Sequence, residues 1–245
     1  MIAMSMTSNW RSIEQTHRGK RRKNNEDAVL SRPDVGLWAV ADGMGGHQAG
    51  DVASQAITNA LAGVRMTGPL AEDVDAIEDA LLEVNDKLRL HARTQCQGGT
   101  VGSTVVTLVV EQDKGVVLWA GDSRLYRLRN GRLEQVTRDH NPVSDLLDSG
   151  AVTEADAVGA DTNIITRAVG GQAQLNLDVA VFDIAEQDTY LLCSDGLYRE
   201  LADSDLLEEL AGEALQNVAE KLLERCLLGA ARDNVSFVVA RQQST

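Results

Sequence analysis

The order in which strand-like and helix-like stretches follow one another limits the folds open to this chain more than any single motif. Two amphipathic helical patterns, Asp51–Leu61 and Val74–Leu88, interrupt a series of short apolar runs, and another helical pair lies at 206–210 and 215–226. The apolar runs are LWAVA, STVVTLVV, GVVLWAG, RLYRLR, LDVAVF, TYLLCS and NVSFVVA. A parallel doubly wound sheet requires regular alternation of strands and helices, which this order lacks. We therefore predict an α+β fold of mainly antiparallel sheets with helices on their outer faces.

The connections between these runs indicate how the chain is divided. Gly121–Ser123 and Asn130–Gly131 each separate two apolar runs and are predicted to be tight connections between neighbouring strands. No Pro-, Gly- or Ser-rich linker interrupts the sequence, so residues 1–245 are predicted to form one domain. Residues 139–170 are the least regular part, and a long segment of that kind is often a functional flap.

The charge and the cysteines of the chain exclude several classes of partner. The 245 residues carry a formal net charge of −14, whereas nucleic acids and anionic membranes require a basic face, so neither is predicted as a partner. No apolar stretch is long enough to span a membrane, and the first residues lack the pattern of a secretory signal. Cys96, Cys193 and Cys226 make no disulfide framework, which favours a reduced, cytoplasmic location, and no CxxC spacing indicates a zinc site. No dimerisation element is apparent, so a monomer is expected.

Acidic residues stand beside the ends of several apolar runs. They are Asp42 after LWAVA, Asp122 after VVLWAG, Asp195 after YLLCS, Asp233 before NVSFVVA, and Glu26–Asp27 before AVL. A single Asp-Gly pair is typical of a turn. If these acids converge on one rim, however, their repulsion is on the order of several kcal/mol each, and they must take up protons or bind cations. Ligands that are all oxygen favour hard ions such as Mg²⁺ or Mn²⁺, with Ca²⁺ left open.

A basic run, HRGKRRKNNED, leads directly into Glu26 and Asp27. Basic runs are usually solvated surface. One arginine that reaches the acids could nevertheless hold a phosphate group as a bidentate fork.

Other phosphate chemistries fit the sequence less well. The glycines of ADGMGGHQAG form neither a P-loop nor GxGxxG, and no GxSxG occurs. A cysteine-based phosphatase requires Cys and Arg separated by five residues, and Cys193/Arg199 and Cys226/Arg232 have this spacing. The first pair would put the Asp195 carboxylate inside a phosphate cradle, and the second begins on the apolar stripe of a predicted helix. This alternative is therefore disfavoured.

Several motifs together resemble a known family. GKRRKNNED, VADGMGGHQAGDVAS, GSTVVTLVV, WAGDSRLYRLRNGRLEQVTRDHN, NIITRAVGG, LLCSDGLY and DNVSFVVA follow one another along the chain. This series resembles the bacterial form of the PP2C (PPM) family of metal-dependent protein serine/threonine phosphatases, over about residues 10–241. The resemblance implies a four-layer α-β-β-α sandwich with a metal cluster at one end of the two sheets and a substrate-selecting flap at about 143–166.

The resemblance also implies the ligands of that cluster. Asp42 would bridge two Mn²⁺ or Mg²⁺ ions, and the Gly43 carbonyl would be a further ligand. Asp195 and Asp233 would hold one ion of the pair, while Glu26 and Asp27 would help to position both, partly through waters.

Further roles follow from the same motifs. Arg22 would bind the substrate phosphate, and Asn234 would orient the site beside Asp233. Asp122, with Asp195, matches the residues that support a third, weaker metal in bacterial members. Many eukaryotic members carry a candidate general acid, a histidine, where this chain has Met44, so the proton donor is left open; His47 is predicted to be structural.

The function implied is hydrolysis of phosphoserine and phosphothreonine in proteins by direct attack of a metal-bridging hydroxide, without a covalent phosphoenzyme. Such an enzyme would oppose a bacterial Ser/Thr kinase. The alternative is a catalytically weak regulatory module of the same fold that acts by binding. Loss of a metal acid would be expected in that state, and none of the six acids above is missing.

Overall fold

The computed structural model describes residues 9–45, 49–96, 99–148, 150, 153 and 164–243, and within these ranges it contains eleven strands and six helices. The strands are β1 (Trp10–His17), β2 (Asp27–Arg32), β3 (Leu37–Gly45), β4 (Val101–Ser103), β5 (Val105–Glu111), β6 (Lys114–Ala120), β7 (Arg124–Arg129), β8 (Arg132–Gln135), β9 (Asp178–Asp183), β10 (Thr189–Cys193) and β11 (Val235–Gln242). The helices are α1 (Ala49–Gly63), α2 (Leu70–Gln95), α3 (Pro142–Asp148), α4 (Asp195–Tyr198), α5 (Asp203–Leu210) and α6 (Leu215–Leu228).

The strands form two antiparallel sheets. One sheet has the order β1-β11-β10-β7-β8, and the other has the order β2-β3-β5-β6-β9, with β4 paired to β3. Strands that follow one another in sequence therefore do not always lie in the same sheet, and the chain crosses between the sheets several times.

The central strands read as unbroken apolar runs because both of their faces are buried. In β3, Leu37, Ala39 and Ala41 pack in one cluster with α1 and α2, while Trp38 and Val40 belong to the cluster between the two sheets. The strands β10 and β11 divide in the same way between the inter-sheet cluster and a third cluster under α5 and α6. Three apolar layers thus separate four structural layers, and the predicted α-β-β-α sandwich is confirmed.

Three local features differ from the sequence expectations. The edge strand β1 was not predicted, although it pairs with β11 along its whole length. The helix α2 extends beyond both ends of the predicted Val74–Leu88. The run STVVTLVV is divided between β4 and β5 at Thr104, whose backbone turns to bond Asp42 instead.

The two predicted tight connections had different outcomes. Asn130–Gly131 does join the paired strands β7 and β8, and both residues have the positive φ values, 51° and 74°, that such a two-residue hairpin turn requires. The prediction for Gly121–Ser123 was wrong, because β6 and β7 lie in different sheets. Gly121 has a φ of 112°, which lets the chain leave one sheet for the other.

Two further expectations concern residues that lie wholly or largely outside the described ranges. His47 lies outside the described residues, as does most of the predicted flap at 143–166, of which 143–148, 150, 153 and 164–166 are described. Over the ranges that are described, no helix is both long enough and apolar enough to cross a membrane.

Candidate metal centre

Asp42 and Asp27 face each other across a pair of strands. Their Cα positions are partners in the antiparallel ladder of β2 and β3. The sequence suggested that β3 ends at Asp42, which was wrong: β3 pairs with β5 up to Val40 and with β4 from Gly43 onward. Thr104 holds the backbone at this changeover, because Asp42 N–H donates to Thr104 Oγ1 (3.1 Å) and Thr104 N–H donates to the Asp42 carbonyl (2.9 Å).

The other acids come from the second sheet and from the crossing between sheets. Asp195 is the first residue of α4 and lies two residues after the end of β10, and Asp233 lies two residues before β11. Because β10 and β11 are adjacent and antiparallel, the end of one and the start of the other lie at the same edge. Asp122 reaches this edge from the connection between β6 and β7.

The surroundings of Asp42 raise its pKa. Burial raises it well above its ordinary value, and the carboxylates of four other residues raise it further: Asp27, Asp195, Asp122 and Asp233. Asp42 in its protonated form lowers the pKa of Asp195, so Asp42 is the member of this pair that favours the proton. The convergence expected from the sequence is therefore present in the fold.

Asp27 and Asp122 are also buried, and their pKa values are raised for the same reasons. Burial raises the pKa of Asp27 to about 6, with Asp195 and Asp233 adding to the effect against hydrogen bonds from Ser236 and Ser194. Burial and then Asp195 raise the pKa of Asp122 to about 6, against a lowering by Arg199. A cation that reaches these buried carboxylates would stabilise their charged form.

Two side chains that sequence reasoning missed hold these acids in place. The Ser194 hydroxyl donates to Asp27 Oδ2 at 2.9 Å, which links the end of β10 to the start of β2. The Tyr198 hydroxyl contacts the Asp122 carbonyl at 3.1 Å and its Oδ2 at 3.3 Å. Both residues lie within the motif LLCSDGLY, directly beside or on the short helix that begins at Asp195.

Two arginines contact the acids. Arg22, the predicted phosphate ligand, forms an ion pair with Asp233 at 2.6 Å. Arg199 was considered only as part of the cysteine alternative, yet its two terminal nitrogens lie 3.2 Å from Asp122 Oδ2 and 3.1 Å from Asp195 Oδ2. Its position four residues after Asp195 on a helix is the signal that could have identified this contact.

Asn234 fastens the loop that carries Arg22 and Glu26. Its Oδ1 accepts a hydrogen bond from Glu26 N–H at 2.8 Å, and its Nδ2 donates to the carbonyls of Arg18 and Asn24 at 2.9 and 3.0 Å. The side chain is buried and all three bonds cross from the start of β11 to the same loop. This geometry fits the supporting role that the resemblance implied for Asn234.

Gly43 lies where no side chain fits. Its N–H donates to the Glu26 carbonyl at 3.1 Å, and a Cβ at this position would stand 2.0 Å from the Gly50 carbonyl oxygen and 2.5 Å from that of Glu26. The glycine therefore allows the Glu26 loop, β3 and α1 to meet in backbone contact. Glu26 itself has a pKa raised by burial, against a lowering by Arg22.

The cysteines do not have the environment of nucleophiles. Cys193 and Cys226 are fully buried in the apolar cluster under α5 and α6. Burial raises the pKa of both thiols, that of Cys226 to about 12, whereas a catalytic cysteine requires a lowered value. These surroundings argue against the cysteine alternative.

The donor chemistry of the site fits hard divalent cations. Asp122 Oδ1 and Asp195 Oδ1 are buried without a hydrogen-bond partner, and the mutual repulsion of the acids is of the kind that bound cations relieve. As the side chains stand, the described residues contain no set of three His, Cys, Asp or Glu already placed to hold a metal ion. Arg22 and Arg199 instead form ion pairs with three of the carboxylates, those of Asp233, Asp122 and Asp195. A metal ion that binds these oxygens would have to replace an arginine contact or a proton.

Comparison with known proteins places this arrangement in a family. Residues 2–146 match the family described as Protein phosphatase 2C. The serine/threonine phosphatase Stp of Listeria monocytogenes is 32% identical over 240 residues, which cover 94% of this chain and 95% of Stp.

Solved structures agree over almost the whole chain. PppA, described as a key regulatory component of T6SS in Pseudomonas aeruginosa, has a TM-score of 0.88 with 41% identity, covering 96% of this chain and 98% of PppA. The catalytic domain of the serine/threonine protein phosphatase PstP, in complex with two manganese ions, has a TM-score of 0.82 with 34% identity, covering 95% and 97%. This chain thus belongs to the Protein phosphatase 2C family, as a serine/threonine phosphatase of the bacterial type.

Proposed function

We propose that this phosphatase removes phosphate from phosphoserine and phosphothreonine side chains of other proteins and so opposes a protein Ser/Thr kinase. The observation that carries the proposal is the meeting of acids from both sheets, which raises the pKa of Asp42, with Arg22 at the edge of the cluster. A phosphate dianion cannot approach such a cluster unless cations offset its charge. The acids would bind those cations, and Arg22 would bind the phosphate.

Two Mn²⁺ or Mg²⁺ ions fit this site, in keeping with the two manganese ions of the PstP domain. Asp42 would be a ligand of both ions and the Gly43 carbonyl a further ligand, Asp195 and Asp233 would hold one ion of the pair, and Glu26 and Asp27 would help to position both. When bound, such a pair supplies a water activated at neutral pH and stabilises the charge of in-line displacement at phosphorus. No side chain of the protein then has to become phosphorylated.

The residues of the chain itself position the substrate. Arg22 is half-exposed and lies on a loop, so its guanidinium can turn from Asp233 toward a phosphate and hold two of its oxygens. Asn234 fixes the loop from below through its three hydrogen bonds, so this movement involves the side chain rather than the backbone. Ser194 keeps Asp27 oriented toward the cluster.

The cellular setting is part of the same proposal. The cysteines Cys96, Cys193 and Cys226 are free thiols, in keeping with action in the cytoplasm. We propose that the chain acts as a monomer on phosphorylated proteins and, by its similarity to PppA, within a regulatory circuit. The alternative, a regulatory module that binds without catalysis, would be expected to have lost part of the acid cluster, and each of the six acids is retained.

The proposal is tested by the dependence of activity on metal and on thiols. Hydrolysis of a phosphothreonine peptide should require Mn²⁺ or Mg²⁺, stop on addition of a chelator, and return when metal is restored. Alkylation of the thiols should leave it unchanged, because Cys193 and Cys226 are buried in the apolar cluster under α5 and α6. Activity that survives chelation but is lost on alkylation would contradict the proposal, and no activity with either metal on any phosphopeptide would favour the binding module.

A further inference from the structure

Asp122 and Asp195 are joined by one guanidinium. Asp122 and Asp195 are both buried, with side-chain exposures of 3% and 12%, and each directs its Oδ2 to a different terminal nitrogen of Arg199. The opposite oxygen of each carboxylate is buried without a hydrogen-bond partner among the described residues. The two acids that the family resemblance assigned to a third metal ion therefore already share a cation supplied by the chain.

The surroundings of Arg199 hold this contact in place. Arg199 directly follows the short helix α4, of which Asp195 is the first residue, so guanidinium and carboxylate lie on the same turn. The preceding residue, Tyr198, contacts Asp122 through its hydroxyl, and Arg124 stacks on the Tyr198 ring at 3.6 Å. Arg124 is in turn fixed by two hydrogen bonds of 2.9 and 2.8 Å to Asp139. The side chain of Tyr198, the residue directly before Arg199, is thus held in place by Asp122 and Arg124.

We propose that the guanidinium of Arg199 takes the place of a third metal ion between Asp122 and Asp195. This chain therefore binds two divalent ions and not three. The proposal rests on the function proposed above, because it concerns the same acids. An arginine stays charged at any pH that the fold tolerates, so its charge cannot be removed to make room. A divalent ion at Asp122 and Asp195 would have to displace the guanidinium from two buried carboxylates and would be repelled by it at short range.

The test is the number of Mn²⁺ ions bound by each folded chain, measured by equilibrium dialysis and elemental analysis over a range of free Mn²⁺. We expect the full wild-type chain to level off at two ions and Arg199→Gln to bind a third. That ion should bind at least about tenfold more tightly than any further ion binds to the wild type, because repulsion by the guanidinium is gone. The double variant Arg199→Gln/Asp122→Asn should return to two ions.

A matched control removes the same charge elsewhere. Arg132 is exposed at the β7–β8 hairpin, at the opposite end of β7 from Asp122, so Arg132→Gln should still bind two ions. Three ions on the wild type over the range that fills the first two would overturn the proposal, and so would two ions on folded Arg199→Gln. A wild-type chain that binds no Mn²⁺ and hydrolyses no phosphopeptide with either metal would overturn the proposed function itself.

A second measurement covers the case in which Arg199→Gln does not fold. The Nη–H signal of Arg199 in the wild type comes from the nitrogens that contact Asp122 and Asp195. Assigned by its loss in Arg199→Lys, it can be followed by NMR during titration with Mg²⁺. It should stay protected from exchange with solvent after the first two ions are bound. Loss of that protection as those two ions bind would show that the guanidinium is displaced and would overturn the proposal.

Discussion

Two arginines hold carboxylates on two sides of the acid cluster around Asp42, and they do so in different surroundings. Arg22 has half of its side chain exposed, lies on a loop, and contacts one acid, Asp233, which is itself one-third exposed. Arg199 directly follows a helix and contacts two acids that are almost fully buried. The first arrangement suits a side chain that exchanges one anion for another, and the second suits a permanent counter-charge. The same residue type at one site can therefore serve substrate binding or charge compensation, and the burial of the acids that it contacts decides which.

Asp42 lies between the two sides, and its replacement should have the largest effect. Its pKa responds to Asp233 on the Arg22 side and to Asp122 on the Arg199 side. We expect Asp42→Asn to reduce kcat on a phosphothreonine peptide by at least about a thousandfold, since one precisely placed charge-stabilising group alone is worth roughly 10²–10³ in rate. Asp113→Asn, which removes an exposed acid outside the cluster, should leave kcat unchanged. An Asp42→Asn enzyme that retains a tenth or more of the activity would rule out its central role.

The Arg22 side should respond in substrate affinity. Arg22→Ala removes a charge-assisted contact to phosphate, and such contacts are worth about 1.5–3 kcal/mol, so KM should rise about tenfold or more with a smaller change in kcat. Arg21→Ala removes an exposed neighbour from the same basic run and serves as the matched control in the same steady-state assay. An unchanged KM for Arg22→Ala would refute the assignment of Arg22 to the phosphate.

On the Arg199 side we expect a smaller effect, which concerns the contribution of His140 to the free energy of unfolding. Gly121, beside Asp122, donates its N–H to Nδ1 of the buried His140, whose Nε2 bonds Asp178 at 3.1 Å. Burial lowers the pKa of His140 below 6.5, because the neutral ring is the form that the fold accommodates. The unfolded chain binds the proton more readily, so the contribution of His140 to stability is present above pH 6.5 and is lost as the pH falls below it.

Denaturant unfolding at a series of pH values measures this contribution. The free energy of unfolding of the wild type, relative to His140→Gln, should decrease as the pH falls below 6.5. A difference between the two proteins that does not change with pH would contradict the lowered pKa of His140.

Sequence reasoning reached the layers of the fold and the acids of the site because both leave local signals. Strands buried on both faces, such as β3, appear as unbroken apolar runs, and the acids stand directly beside those runs. The edge strand β1 was missed because it is mostly polar: its apolar residues Trp10 and Ile13 are three apart, so the two-residue period of a strand is not visible. The change of sheet at Gly121 was missed because a short glycine-containing connection gives the same signal whether the next strand pairs or crosses over.

The contacts of the site were harder to predict than its residues. Arg199 is separated from Asp122 by 77 positions, and no local pattern links the two. The same holds for Ser194 and Asp27, which are brought together by the packing of one sheet against the other. Interactions that depend on how two sheets meet require three-dimensional structure, whereas the identity of the acids does not.

The most direct test of the central claim, that acids from both sheets form a two-ion centre bridged by Asp42, is anomalous diffraction from crystals of the wild-type chain grown with Mn²⁺. We predict two anomalous peaks beside Asp42, one of them also beside Asp195 and Asp233, and no peak between Asp122 and Asp195, where Arg199 should remain. No peak at Asp42 in crystals of an active preparation would contradict the account.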